Sequence, residues 1–130
     1  MSGNNKINYV EFAASDIEAT KQLFSAVFGW EFIDYGPDYT AFSDQGVDGG
    51  FYRSELVSSY ASSGALVVLY TDTLEAVQSK VEAAGGTITR QIFSFPGGRR
   101  FQFTEPSGNE LAVWSDVGAD ETDASGSDVS

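Results

Sequence analysis

The sequence predicts an α+β fold of two βαβββ modules in tandem, followed by a short acidic tail. Three observations carry that prediction. Short runs alternate apolar and polar residues with period two, between turns rich in Gly, Pro and Asn. Two other segments repeat their apolar residues at helical spacing. The order strand, helix, three strands then occurs twice at an offset of about 57 residues: Ile17-Glu18-Ala19 matches Leu74-Glu75-Ala76, and Gly29 matches Gly86. A fixed internal period is an architectural signature. Two such modules can pair their sheets and curve round a common cavity.

Each element has a local reason. Residues 6–14 (KINYVEFAA) alternate and are rich in β formers, so they read as a strand. Ser15 or Asp16 caps a helix whose apolar positions are Ile17, Thr20, Leu23, Phe24, Val27 and Phe28, and Gly29 stops it. Strands are expected at residues 30–35, 39–43 and 51–54. Gly36-Pro37-Asp38 is a turn between the first two, and Asp48-Gly49-Gly50 leads into the third. A loop rich in Ser and Gly covers residues 58–64. In the second module residues 66–70 form a strand. Asp72 or Thr73 caps a helix with Leu74, Val77, Val81 and Ala84 on its apolar face, and Gly85-Gly86 ends it. Strands follow at residues 87–95, 100–104 and 110–115. Pro96-Gly97-Gly98 and Pro106-Ser107-Gly108-Asn109 are the turns between them. Neither Gly49-Gly50 nor Gly97-Gly98 has the spacing of a phosphate loop opening a helix, so both read as turns.

Composition narrows the function classes. Of 130 residues 42% are hydrophobic and 14% aromatic, too much for a disordered chain. There is no Cys, hence no disulfide framework and no thiol nucleophile, and no His, hence no Ser/His/Asp arrangement. Nineteen acids against seven bases give a net charge of -12, which repels nucleic acid and anionic membranes. From Asp116 to Ser130 the chain holds five acids and no base, so residues 117–130 are expected to be a disordered acidic tail after a domain spanning 1–116. The start of the chain lacks a basic segment followed by an apolar run, and no apolar stretch approaches the roughly 18 residues of a membrane span. A cytoplasmic protein without nucleic-acid or membrane partners is the expectation.

Three strings carry a family resemblance. YVEFAASDIEATKQLFSAVFGWEF resembles the opening module of vicinal oxygen chelate proteins, the glyoxalase, bleomycin-resistance and extradiol dioxygenase relatives. TDTLEAVQSKVEAAGGTI resembles the opening of their second module, and FTEPSGNELAVWSD their closing strand with its acid-Pro-x-Gly-Asn turn. The similarity spans about residues 6–116, with modules at about 6–55 and 65–115, and is greatest to the small glyoxalase-related subgroup. It implies curved mixed sheets forming a cup with helices outside, chemistry on the concave face, and a homodimer. It also implies a metal held by His, His and Glu. Those positions fall here at Tyr9, about Leu66, and Ala112, none of them a good ligand. No metal or other cofactor is therefore expected. An all-oxygen site from Glu11, Glu55 and Glu110 is the alternative.

Strand alternation then sorts the cup residues. If Tyr9 faces the cavity, so does Glu11, while Val10 and Phe12 pack under the first helix. Leu66, Val68 and Tyr70 share one face, as do Glu110, Ala112 and Trp114. Arg100, Gln102 and Thr104 lie opposite the aromatic set Phe101 and Phe103, which suits the helix side. Glu11 is thus a candidate general base, and Arg100 a candidate carboxylate clamp or oxyanion partner. Tyr9, Tyr70, Gln102 and Trp114 are candidates for ligand binding. Each has a plainer reading: Glu11 as a rim carboxylate paired with Arg100 or Arg53, Arg100 as an ion-pair arginine, and the aromatic residues as core. Two functions are in view. One is a small-molecule-binding protein whose cup holds a small aromatic or cationic compound. The other is a metal-independent lyase or isomerase, related to lactoylglutathione lyase, with Glu11 as base.

Overall fold

The computed structural model describes residues 4–56, 59–62 and 64–118. From residue 119 onward the expected tail lies outside the described residues, as do Ser58 and Ser63 of the expected loop. The chain runs β1 (Tyr9–Ala14), α1 (Ile17–Phe28), β2 (Phe32–Asp34), β3 (Tyr39–Phe42), β4 (Asp48–Arg53), β5 (Val67–Tyr70), α2 (Leu74–Ala83), β6 (Thr87–Phe95), β7 (Gly98–Thr104) and β8 (Glu110–Ser115). Strand order is β1-β4-β3-β2 in the first sheet and β5-β8-β7-β6 in the second. β1 pairs with β4, and β5 with β8, in parallel; the other pairs are antiparallel. These are the two βαβββ modules, with open curved mixed sheets. No helix among the described residues is long and apolar enough to cross a membrane.

The helix boundaries follow from their caps. The Asp16 side chain accepts the Ala19 N–H at 3.1 Å, which satisfies one free donor of the first turn. Gly29, at φ 74°, ends α1 with its N–H on the Ser25 carbonyl. Thr73 occupies the cap position of α2 without a side-chain bond. That helix closes with Gly86 N–H on Val81 O and Gly85 N–H on Glu82 O, the pairing of a Schellman motif.

One correction concerns Asp48-Gly49-Gly50, expected as a lead-in turn. All three belong to β4, where Gly49 pairs with Val10 and Gly50 with Glu11. A Cβ on Gly50 would lie 2.4 Å from the Tyr39 hydroxyl, so glycine here makes room for a neighbour and not for a bend. Gly97 does sit in a turn, whereas Gly98 already opens β7.

Both helices pack on the same side of their sheets as an aromatic core. Phe24 stacks on Trp30 at 4.7 Å between centroids and meets Phe51 at 5.6 Å. Phe101, Phe103, Leu111 and Val113 bury the corresponding face of the second sheet, as alternation predicts. The modules meet on this side too: α1 touches α2, and Phe28 of α1 lies 6.3 Å from Phe103 of β7.

A buried polar hub completes the junction. Glu105, only 2% exposed, accepts the Thr20 hydroxyl, the Ser107 N–H at 2.8 Å, and the Asn109 amide at 2.7 Å. Asn109 also donates to the Ala13 carbonyl at 2.6 Å, and Asp16 N–H donates to Ser107 Oγ at 3.0 Å. The acid-Pro-x-Gly-Asn turn of the second module thereby grips the start of α1 and the end of β1. Nothing in its local sequence distinguishes this role from that of an ordinary turn.

Candidate functional site

With one face of each sheet committed to the helices, the other is left open. On the first sheet the open face holds Tyr9, Glu11, Ala13, Tyr39 and Tyr52. Glu11 pairs across the strands with Gly50 and then Ala41. Tyr39 donates its phenol proton to Glu11 Oε2 at 2.9 Å, and Tyr9 Oη lies 2.6 Å from Tyr39 Oη. Since Tyr39 has spent its single proton on the carboxylate, Tyr9 is the donor in that second contact. Burial first, then the hydrogen bonds to Tyr9 and Glu11, raise the Tyr39 phenol well above the usual tyrosine range. Arg53 binds Asp38 at 2.8 Å instead, so Glu11 is no partner of Arg53. Tyr39 was not among the sequence candidates. Its role depends on β3 lying two strands from β1 with only glycine between them.

On the second sheet the open face is ordered as rows across four strands. One row is Tyr70, Trp114, Arg100 and Phe93; the next is Val68, Ala112, Gln102 and Arg90. Register shifts in β6 put both Arg90 and Phe93 on this face although they are three residues apart. Trp114 meets Tyr70 edge-on at 5.2 Å and Phe95 at 6.4 Å. The Tyr70 hydroxyl is tied to Asp116 at 2.6 Å, which raises its pKa.

Polar groups at the Glu110 end of this face are already satisfied. Glu110, 8% exposed, accepts the Tyr60 N–H at 2.9 Å, the Thr89 hydroxyl at 2.8 Å and the Gln102 amide at 3.0 Å. Gln102, itself buried, accepts from Arg100 Nη2 at 3.3 Å. Tyr60, between the modules, thus sits at the Glu110 end, whereas Tyr70 at the aromatic end is exposed. Burial pushes the Glu110 carboxyl up, but the Tyr60, Thr89 and Gln102 donors outweigh it and leave the pKa below its ordinary 4.5. A folded-state pKa depressed in this way adds stability above the ordinary value and loses it as pH falls through the folded one. Urea unfolding between pH 7 and 3 is expected to show a steeper acid loss for the wild type than for Glu110→Gln. Equal slopes below pH 4.5 would assign the acid sensitivity elsewhere.

The candidates thus fall into two groups. Tyr9 and Glu11 are brought together on the first sheet, and Tyr70, Trp114, Arg100 and Gln102 on the second. Glu11 and Arg100, on different sheets, share no hydrogen bond or ion pair among the described residues. The structure also shows two clefts that sequence reasoning missed. One, of about 530 Å³, runs between the Val10–Trp30–Phe42 side of the first module and β5. The other, of about 580 Å³, lies beside Tyr9, Tyr39 and Ile33. Both are of a size that holds small ligands. They arise from long-range packing and have no local sequence signal.

The metal implied by the resemblance does not fit these residues. Ala112 is buried and bears no donor, Leu66 bears none, and the Tyr9 phenol is engaged with Tyr39. Glu11 and Glu110 lie on separate sheets, and Glu55 is exposed beyond β4. No three His, Cys, Asp or Glu side chains among the described residues could hold a metal ion together.

Comparison with known proteins supports the same architecture. A glyoxalase-related enzyme from Fulvimarina pelagi superposes with a TM-score of 0.72 at 16% identity, covering 85% of this chain and 88% of that one. A glyoxalase/bleomycin resistance protein/dioxygenase family enzyme from Burkholderia phytofirmans PsJN gives 0.71 at 18% identity, covering 85% and 98%. Lactoylglutathione lyase from Agrobacterium tumefaciens gives 0.65 at 18% identity, covering 87% and 95%. At such identities the likeness concerns the fold alone. No curated protein matches the sequence. Residues 6–113 match the family model of the glyoxalase/bleomycin resistance protein/dioxygenase superfamily. With the repeated βαβββ module, that match makes this chain a member of the superfamily, the vicinal oxygen chelate proteins.

Proposed function

We propose that this chain is a small-molecule-binding protein that holds a small aromatic compound on the open face of its second sheet, without a resident metal. The observation that carries the reading is the accessible aromatic row: Tyr70, Trp114 and Phe93 share one face with Phe95, outside the core. Such faces suit a flat ligand, because offset and edge-on ring contacts are favourable and the rings lose little freedom on binding. Tyr70 is held by Asp116, and Gln102 by Arg100 and Glu110, so the face is organised in advance. Of the two ligand classes expected from composition, this arrangement favours the aromatic one.

A second reading, a metal-independent lyase or isomerase with Glu11 as general base, is favoured by the Tyr9–Tyr39–Glu11 chain. That chain holds one carboxylate oxygen by a phenol and leaves Glu11 exposed at the surface. One experiment separates the two. A thermal-shift screen of small aromatic compounds on untagged protein selects those that stabilise it. Each is then titrated into the wild type and Trp114→Ala, and incubated at a large excess over protein. Binding is expected to weaken at least about tenfold in Trp114→Ala, with the compound recovered unchanged. Equal affinity in the two proteins would remove the second sheet from the reading. Catalytic consumption that is lost in Glu11→Gln, with binding retained, would favour the enzyme.

A further inference from the structure

We infer that the open face of the second sheet selects an anionic aromatic compound, seating its carboxylate between Arg90 and Arg100 and its ring beside Trp114. The inference rests on the aromatic-site reading above and adds the sign of the ligand's charge.

Cations are scarce here, seven against nineteen acids, and where they sit is informative. Lys21, Arg53 and Arg99 each make a salt bridge: Lys21 with Glu18 and Asp34, Arg53 with Asp38, and Arg99 with Glu75. Lys6, Lys80, Arg90 and Arg100 make none among the described residues, and of these the two arginines share one sheet face. They converge instead on one ring, with Arg90 Cζ 3.6 Å and Arg100 Cζ 5.3 Å from the Phe93 centroid.

Two like charges held against the same ring repel one another, and cation–π contact offsets only part of that. Arg100 is also poorly served by hydrogen bonds. Its one side-chain partner is the neutral Gln102 oxygen, and its Nε is buried without a partner among the described residues. Gln102 cannot improve matters, because its amide is pinned to Glu110. Arg99 likewise has an unpartnered Nε, but its terminal nitrogens already hold Glu75 and the Val117 carbonyl. A guanidinium with no counter-charge suits a carboxylate, which can accept N–H bonds from its terminal nitrogens.

The geometry supplies the rest of the ligand. Arg100 and Trp114 are register partners on adjacent strands, about 5 Å apart. A carboxylate attached directly to a one- or two-ring aromatic body spans that distance. Arg90, exposed on the edge strand β6, would leave the Phe93 ring to close on the same anion.

The test is calorimetric titration of the full chain with three probes of one shape at pH 7: 2-naphthoate, 2-naphthylmethanol and 2-naphthylmethylamine. The anion is expected to bind at least about tenfold more tightly than the alcohol or the amine. Arg100→Gln and Arg90→Gln should each cost the anion about tenfold while leaving the alcohol unchanged. Arg100→Lys, which keeps the charge but not the paired donors, should recover only part of the loss. Lys80→Gln on α2 should change nothing. Arg90 is exposed, so its variant tests the seat even if Arg100→Gln fails to fold. An alcohol or amine that binds as well as the anion, or arginine variants without effect, would overturn the charge assignment and leave the aromatic site standing. If none of the three binds, both readings fall.

Discussion

Glu105→Ala is expected to lower the unfolding free energy by about 3 kcal/mol and the melting temperature by about 10 °C. The carboxylate is buried between the modules and accepts from Thr20, Ser107 and Asn109. Alanine strips the acceptor from several donors at once, and each buried donor that loses its partner costs about 1–3 kcal/mol. The effect is not confined to the turn. Asn109 is positioned on the Ala13 carbonyl by the same carboxylate, so the end of β1 loosens along with the second module. Glu105→Gln keeps one acceptor oxygen but presents an N–H₂ group to N–H donors, and should fall between alanine and wild type. Exposed Glu55→Ala is the control and should stay within about 0.5 kcal/mol. Urea unfolding monitored by far-ultraviolet circular dichroism reads all three. A loss below about 1 kcal/mol for Glu105→Ala would show that the modules are joined by their apolar contacts alone.

Gly49→Ala is expected to cost about 3 kcal/mol, an unusual penalty for a single methyl group. The new Cβ would lie 2.3 Å from the Val10 carbonyl oxygen and 2.6 Å from Phe42 Cζ. The ring can shift slightly. The carbonyl is backbone of the paired strand β1, so relief requires β1 and β4 to part at that point. Gly50→Ala meets the end of the Tyr39 side chain and, less closely at 2.8 Å, the Thr40 carbonyl; it should be milder in stability, while driving Tyr39 off Glu11. The same urea titration distinguishes the two. An unchanged midpoint for Gly49→Ala would mean that the β1–β4 spacing adapts more readily than close packing allows.

These two residues mark where sequence reasoning stopped. Glu105 was visible as part of a turn motif, and Gly49 as one of a glycine pair. Neither the buried hub nor the strand contact has a local signature, because both depend on residues far away along the chain. Ala13 and Asn109 illustrate the first case. Tyr39 illustrates another: a phenol at a strand start looks like any half-buried aromatic until the strand order places it beside Glu11. The expected pairing of Glu11 with Arg53 or Arg100 failed for the same reason. Arg100 stands on the other sheet, whereas Arg53 stands on β4 beside β1 but is taken by Asp38.

By itself the sequence determined what repeats locally. The doubled strand–helix–strand order, the caps at Asp16 and Gly29, and the division of β1, β5, β7 and β8 into two faces all follow from periods of two and 3.6 residues. The absence of His and Cys, which leaves only oxygen donors for a metal, is likewise read directly from the sequence. The tertiary structure alone decided which open-face residues meet: Glu11 with Tyr39, Arg90 and Arg100 with Phe93, and Glu110 with the linker. The physical reason is that backbone geometry fixes the direction of a side chain within its own element. Its neighbours are set by strand order, bulges and packing between modules, which no short window of sequence contains.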